Sequence, residues 1–139
     1  MEGKMTTSIN NFEVVCANVR VVMRNCGESW QSTCEAAVKV KISGREEYSI
    51  GEGNGPLNAL DNALRKALCV FPCLRDVTLS DYAVNVFDGM SGSAVSVKVF
   101  IWFSSGEKKW TVEKISTDII NASFHALVDG YKIALSNCK

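Results

Sequence analysis

The 139-residue chain has one histidine, two prolines and no excess of either charge, with fifteen lysines plus arginines against fifteen aspartates plus glutamates. Each scarcity closes a class of function. A Ser/His/Asp triad needs its histidine sunk in a cleft. His125 instead falls on a polar helical face, with Asp129 one turn on, and reads as a solvated residue. No cluster of His, Cys and carboxylates has metal-ligand spacing, and Glu46, Glu47 and Glu52 read as solvated strand-edge charges rather than a carboxylate pair. With zero net charge and no basic stripe, nucleic acid and anionic membrane surfaces are poor partners. No apolar run approaches the ~18 residues of a membrane span. Met1-Glu2-Gly3-Lys4-Met5 has no apolar stretch behind its lysine, so it does not read as a secretory signal. The expectation is a cytoplasmic domain over 9–139, with 1–8 a disordered start or vector-derived remnant.

Six cysteines are present: Cys16, Cys26, Cys34, Cys69, Cys73 and Cys138. Without a signal peptide, and with Cys16 and Cys34 inside apolar strand patterns, they read as reduced small hydrophobes. Cys69-x-x-x-Cys73 has no second pair and no nearby histidine, which argues against a zinc site.

What the chain does have is repetition. Gly44-Arg45-Glu46-Glu47-Tyr48-Ser49-Ile50 is echoed by Gly106-Glu107-Lys108-Lys109-Trp110-Thr111-Val112 at an offset of 62. Continued without a gap, the echo aligns Gly53–Leu57 with Ile115–Ile119, each opening a helical stretch. The repeats, about 12–73 and 74–136, each read as strands followed by a helix, and such units bury their apolar faces on one another. The expected fold class is α+β, with two antiparallel sheets and two helices packed on them.

Phe12 to Arg24 is valine-dense and reads as a strand. Cys34, Ala36, Val38, Val40 and Ile42 alternate with charged residues, marking a half-buried strand. Glu46 to Ile50 returns as a third strand, and Gly51–Gly55 reads as a glycine-rich loop before Pro56 opens a helix. That helix stops before Pro72. In the second half the strands are Val77 to Phe87, Ala94 to Phe103 and Lys108 to Val112, with 88–93 a flexible turn. Ser116 to Asp118 supplies N-cap chemistry for a helix to about Leu135. Ala122, Ala126 and Gly130 form a small-residue row on it, suited to close packing against another element. Phe100 and Trp102 share a strand face with Lys98, which points either to a shifted register or to a protein interface.

The glycine loop is either an anion-binding turn or a tight connection. Glycines permit unusual backbone angles and close approach, and helix starts offer N–H groups to a carboxylate. It is neither a Walker loop nor a dinucleotide-binding fingerprint.

The run Gly51–Leu68 resembles the C-terminal regulatory domain of the citramalate and 2-isopropylmalate synthases. Leu79-Ser80-Asp81-Tyr82-Ala83-Val84 resembles its next motif, and Trp110-Thr111-Val112 with Ser116–Ser123 resembles the third. The match covers about Phe12 to Leu135. Asn58–Leu68 and Ala126-Leu127-Val128-Asp129 are more similar to the citramalate branch, while Glu113-Lys114 departs from its usual small, glycine-containing segment. The resemblance implies a homodimeric domain, needing no cofactor, that binds a pathway end product and shuts off a separate catalytic barrel. That effector is isoleucine in the citramalate branch and leucine in the other. The barrel, which binds a divalent metal and condenses acetyl-CoA with a 2-oxoacid, has no room in 139 residues, so this chain alone is expected to lack synthase activity. The family's effector positions fall on Gly53, Asn54, Gly55, Leu57, Asn58, Leu79, Tyr82, Val86, Ala94 and Ile119. The competing reading is a dimerisation module that binds no ligand.

Overall fold

A computed structural model describes residues 11–88 and 95–138. The chain divides into two compact units, Met1–Pro72 and Cys73–Lys139. The first contains β1 (Glu13–Asn25), β2 (Trp30–Ile42), β3 (Arg45–Gly53) and α1 (Pro56–Ala67). The second contains β4 (Thr78–Asp88), β5 (Val95–Ser105), β6 (Lys108–Ser116) and α2 (Ile119–Ser136). A single 3-10 turn, Pro72–Leu74, lies at the boundary. Each unit is an antiparallel three-stranded sheet, ordered β1-β2-β3 or β4-β5-β6, followed by a helix. The strand–strand–strand–helix pattern thus repeats, as the α+β reading anticipates.

Alternation along the central strands decides which face each helix covers. In β2, Cys34, Ala36, Val38 and Val40 are buried, while Glu35 and Lys39 lie on the other face. On α1, Ala59, Leu60, Ala63, Leu64 and Ala67 are buried at helical spacing. Each buried leucine contributes roughly 1.5–3 kcal/mol relative to an exposed one. In β5, Val97, Val99, Ile101 and Phe103 are buried beneath α2. Phe103 stacks on Trp110 at 5.7 Å between ring centroids and meets Tyr131 edge-on at 6.0 Å.

The true offset between repeats is 63, because Pro56 and Ile119 open the two helices. The apparent 62 arises at the hairpins. Ser43 and Gly44 form the first two-residue turn, at φ 52° and 79°. In the second turn Gly106, at φ 63°, takes the first position and Glu107 the second. Both glycines supply the positive φ that hairpin turns demand, at different places in the turn. Matching glycine to glycine therefore slips one residue, and a one-residue slip reverses every side chain. Tyr48 indeed faces outward at 62% exposure, while Trp110 faces the helix and donates from Nε1 to the Gly130 carbonyl at 3.1 Å.

Three further expectations change, and the small-residue row finds the element it packs against. β3 runs through Gly51–Gly53, so these glycines belong to a strand rather than a loop, and β6 extends to Ser116 instead of stopping at Val112. The Ala122, Ala126, Gly130 row faces its own sheet. A Cβ on Gly130 would run into the Phe103 ring, so the row is spent on internal packing and is not free for a partner. Cys73 and Cys138 form a disulfide, with Cα atoms 6.3 Å apart, against the expectation of six reduced cysteines. Cys34 is buried as a small hydrophobe, but Cys16, Cys26 and Cys69 are exposed.

Phe100 and Trp102 do share a face with Lys98, so the register is not at fault. They stack on each other at 5.8 Å, half-buried, on the side of the sheet opposite Val99 and Ile101. The expected turn at 88–93 falls mostly, and Ala94 wholly, outside the described residues.

Candidate effector site

In the first unit the candidate residues run continuously from the end of β3 into α1. Gly53 closes the strand, Asn54 follows, Gly55 is the N-cap, and Leu57 and Asn58 sit in the first helical turn. The glycines here adopt no positive φ. What Gly51 and Gly53 provide is proximity. A Cβ on Gly51 would lie 2.9 Å from the Ala59 carbonyl oxygen and closer still to the Ala63 nitrogen, and one on Gly53 would meet Asn58 and Ala59. The helix therefore presses directly on the strand backbone. Gly55 is different: nothing lies within 4 Å of the position its Cβ would take.

Across the open edge of β3, Lys66 donates from Nζ to the Ile50 carbonyl at 2.8 Å, and Asn62 donates from Nδ2 to the Glu52 carbonyl at 2.6 Å. These side chains satisfy edge carbonyls that would otherwise invite another strand. They also wall a shallow depression of about 540 Å³ lined by Ile50, Gly51, Glu52, Asn62 and Lys66.

In the second unit Leu79, Tyr82 and Val86 pair with Phe103, Ile101 and Val97, which puts all three on the helix side of β4. The helix lies over β5 and β6, and the hydroxyls of Tyr82 on β4 and Ser123 share a hydrogen bond at 2.8 Å. That leaves Tyr82 38% and Val86 66% exposed. Ile119, at the first position of α2, is 43% exposed and stands one turn from Ser123. Val86 and Ile119 thus lie toward the end of the sheet where α2 begins, and Tyr82, in the middle of β4, meets the second turn of the helix through Ser123. Leu79 does not join them, because seven residues of strand separate it from Val86 by roughly 20 Å. Ser123 was not among the sequence candidates. It is the buried polar residue of the described core, 3% exposed, and a serine in an apolar helix row was its signal.

The residues from the two units occupy equivalent places. Val21, Cys34 and Gly53 form one cross-strand row, and Val86, Val97 and Ser116 form its counterpart. Each row lies where the third strand turns into its helix. Val21, the counterpart of Val86, is likewise exposed, at 48%.

The two helix starts differ electrostatically. Asp118 caps α2, its Oδ1 accepting from the Ile120 and Asn121 N–H groups at 2.9 and 3.2 Å. That positive end already holds a carboxylate. The start of α1 has no side-chain cap, since its N-cap is Gly55, and Asn58 turns its Oδ1 back to the Asn54 N–H at 3.1 Å. Among the described residues no group of three His, Cys, Asp or Glu could hold a metal ion, and no helix is long and apolar enough to cross a membrane.

Two consecutive strand–strand–strand–helix units, each with an open row at its helix start, define a small tandem-repeat α+β domain. The family model for the LeuA allosteric (dimerisation) domain matches residues 4–135, and the chain belongs to that family. An (R)-citramalate synthase of Geobacter sulfurreducens is 42% identical over 136 residues, covering 97% of this chain and 25% of its own length. Proteins of the same name from a Synechocystis strain and from Aquifex aeolicus are 42% identical over 106 residues and 38% over 117. The alignments cover 74% and 82% of this chain but 19% and 22% of those proteins. The chain thus spans a quarter or less of these relatives, all from the citramalate branch.

Proposed function

We propose that this domain binds a branched-chain amino acid, isoleucine in preference to leucine, and that binding feeds back on an acyl-CoA-dependent synthase that condenses a 2-oxoacid. One observation carries the reading. Resemblance-derived positions from distant parts of the sequence (Gly53 with Gly55, and Val86 with Ile119) fall on equivalent rows beside the helix starts of two units. Each unit by itself offers chemistry that suits an amino acid. In the first, the uncapped start of α1 offers N–H groups to a carboxylate. In the second, the Asp118 carboxylate offers charge opposite to an ammonium, and Tyr82, Val86 and Ile119 offer apolar surface to a branched side chain. Isoleucine differs from leucine by the place of one methyl group, a distinction of ~1–3 kcal/mol in such a pocket. The preference for isoleucine therefore leans on the citramalate-type relatives.

The domain acts in this reading as a homodimer, and effector binding shifts how two copies pack. The exposed apolar faces of β1 and β4 support assembly, as does the family's dimerisation role. They also favour the second reading, a dimerisation module without a ligand. Melting curves with isoleucine, leucine and valine at millimolar concentration separate the two. A ligand that binds only the folded state raises the melting temperature in proportion to ln(1 + [L]/Kd). The proposal expects the largest rise with isoleucine. A flat response to all three, with a dimeric mass by light scattering, leaves the dimerisation module. A monomeric mass with and without isoleucine removes the assembly half of the proposal.

A further inference from the structure

The Cys73–Cys138 bridge joins the first residues of the second unit to the end of α2, across a sequence separation of 65. Everything in that unit, from β4 to the last turn of α2, lies inside the closed loop. Both cysteines are half-exposed. Four other cysteines stay free, and three of them, Cys16, Cys26 and Cys69, are exposed. A single accessible bridge among exposed thiols is open to attack by thiolates. This distinguishes it from the buried, fully paired frameworks of small secreted domains.

We propose that Cys73 and Cys138 form a thiol–disulfide exchange site whose oxidation state sets how firmly the second unit holds its helix. The co-reactant is a low-molecular-weight disulfide of the glutathione type. One protein thiolate attacks a sulfur of that disulfide, forming a mixed disulfide and expelling one small thiolate. The other protein thiolate then attacks the protein-side sulfur, closing the Cys73–Cys138 bond and expelling the second small thiolate. The two protons lost by the cysteines end on the two released thiols. The protein pair is oxidised by two electrons, and the small disulfide is reduced by the same two. Reduction runs the steps backwards with two small thiols.

The bond acts on secondary structure that the apolar core holds weakly. Beyond Leu135, which is buried, Ser136 and Asn137 are exposed, and the helix ends at Asn137 on local hydrogen bonds, from the Asn137 N–H and from the Ser136 hydroxyl to the Ile133 carbonyl. On the other side Leu74 and Val77 are buried, so Cys73 is anchored next to fixed residues. Oxidation therefore ties a frayable helix end to a fixed point and shortens the unfolded loop, which stabilises the unit.

The test equilibrates the 139-residue chain in reduced and oxidised glutathione at stepped ratios. After acid quenching, free thiols are alkylated in denaturant and mapped by mass spectrometry. The expected oxidised form has four alkylated cysteines and one joined peptide pair containing Cys73 and Cys138. The reduced form has six alkylated cysteines, and its melting temperature is lower by roughly 10 °C. Cys138→Ser, beyond the last buried residue of α2, should melt at one temperature across all ratios. Cys73→Ser should do the same. Six alkylated cysteines at every ratio, a bridge through Cys69 instead, or equal melting of the two forms of the parent would each overturn the proposal.

Discussion

Gly51→Ala probes the close approach of α1 to β3. The added methyl would sit 2.9 Å from the Ala59 carbonyl oxygen and 2.9 Å from the Ala63 Cα, where ordinary contact begins at 3.4 Å. Both obstacles are backbone, so no side-chain rotation relieves them. The helix must lift by on the order of an ångström, loosening Ala59, Leu60, Ala63 and Leu64 at once. Overpacking of this kind costs ~1–3 kcal/mol. Replacing a strand glycine returns about 0.5–1 kcal/mol by removing unfolded-state freedom. With all three nearest atoms backbone and at or inside 2.9 Å, the upper end of the overpacking cost applies, and the net loss of about 2 kcal/mol lowers the melting temperature by roughly 6–10 °C in a domain of this size. Gly55→Ala is the control, because its Cβ meets nothing within 4 Å. Its cost is the weaker N-cap, about 1 kcal/mol or less. Circular dichroism melts of the parent and both variants decide the matter. If Gly51→Ala melts within ~2 °C of the parent, or if Gly55→Ala is the more damaged, the packing account of these glycines is wrong.

Gly55→Val should still fold, melting lower only by the N-cap cost of about 1 kcal/mol, and abolish isoleucine binding by calorimetric titration; unchanged binding would make the segment a connector only. Asp118→Ala removes the acceptor of two helix N–H groups and should cost about 1 kcal/mol, while Asp118→Asn should keep most of it. Equal melting of Asp118→Ala and the parent would deny the cap. Ser123→Ala frees the Tyr82 hydroxyl, which water can reach, so its stability cost should stay near 1 kcal/mol or below. Under the effector proposal it should still weaken isoleucine binding, because Tyr82 loses the contact that orients it. Unchanged affinity would detach Tyr82 from the site.

The elements were legible because each rests on a local rule. The alternation from Cys34 to Ile42 marks a half-buried strand whatever surrounds it. Pro56 and Asp118 mark helix starts through backbone chemistry that operates within one turn. The repeat itself, and the resemblance carried by Gly51–Leu68, were likewise readable from residue order. Three-dimensional pairing decided what remained. Whether Gly51 was loop or strand depended on how near α1 came, and nothing within the glycine stretch encodes that distance. The Ala122, Ala126, Gly130 row announced close packing but not against what, since a small residue accepts any neighbour that fits, here Phe103. The meeting of Tyr82 with Ser123 and of Cys73 with Cys138 joins residues 41 and 65 positions apart, and contacts of that range follow from topology. The register of the repeats shows the division most plainly. Residue order alone established that the chain repeats, because similar turns and strands recur. Only the sheet decided that Tyr48 points to solvent and Trp110 to the core, because a β-strand reverses its faces with every residue and two turns placed their glycines one position apart.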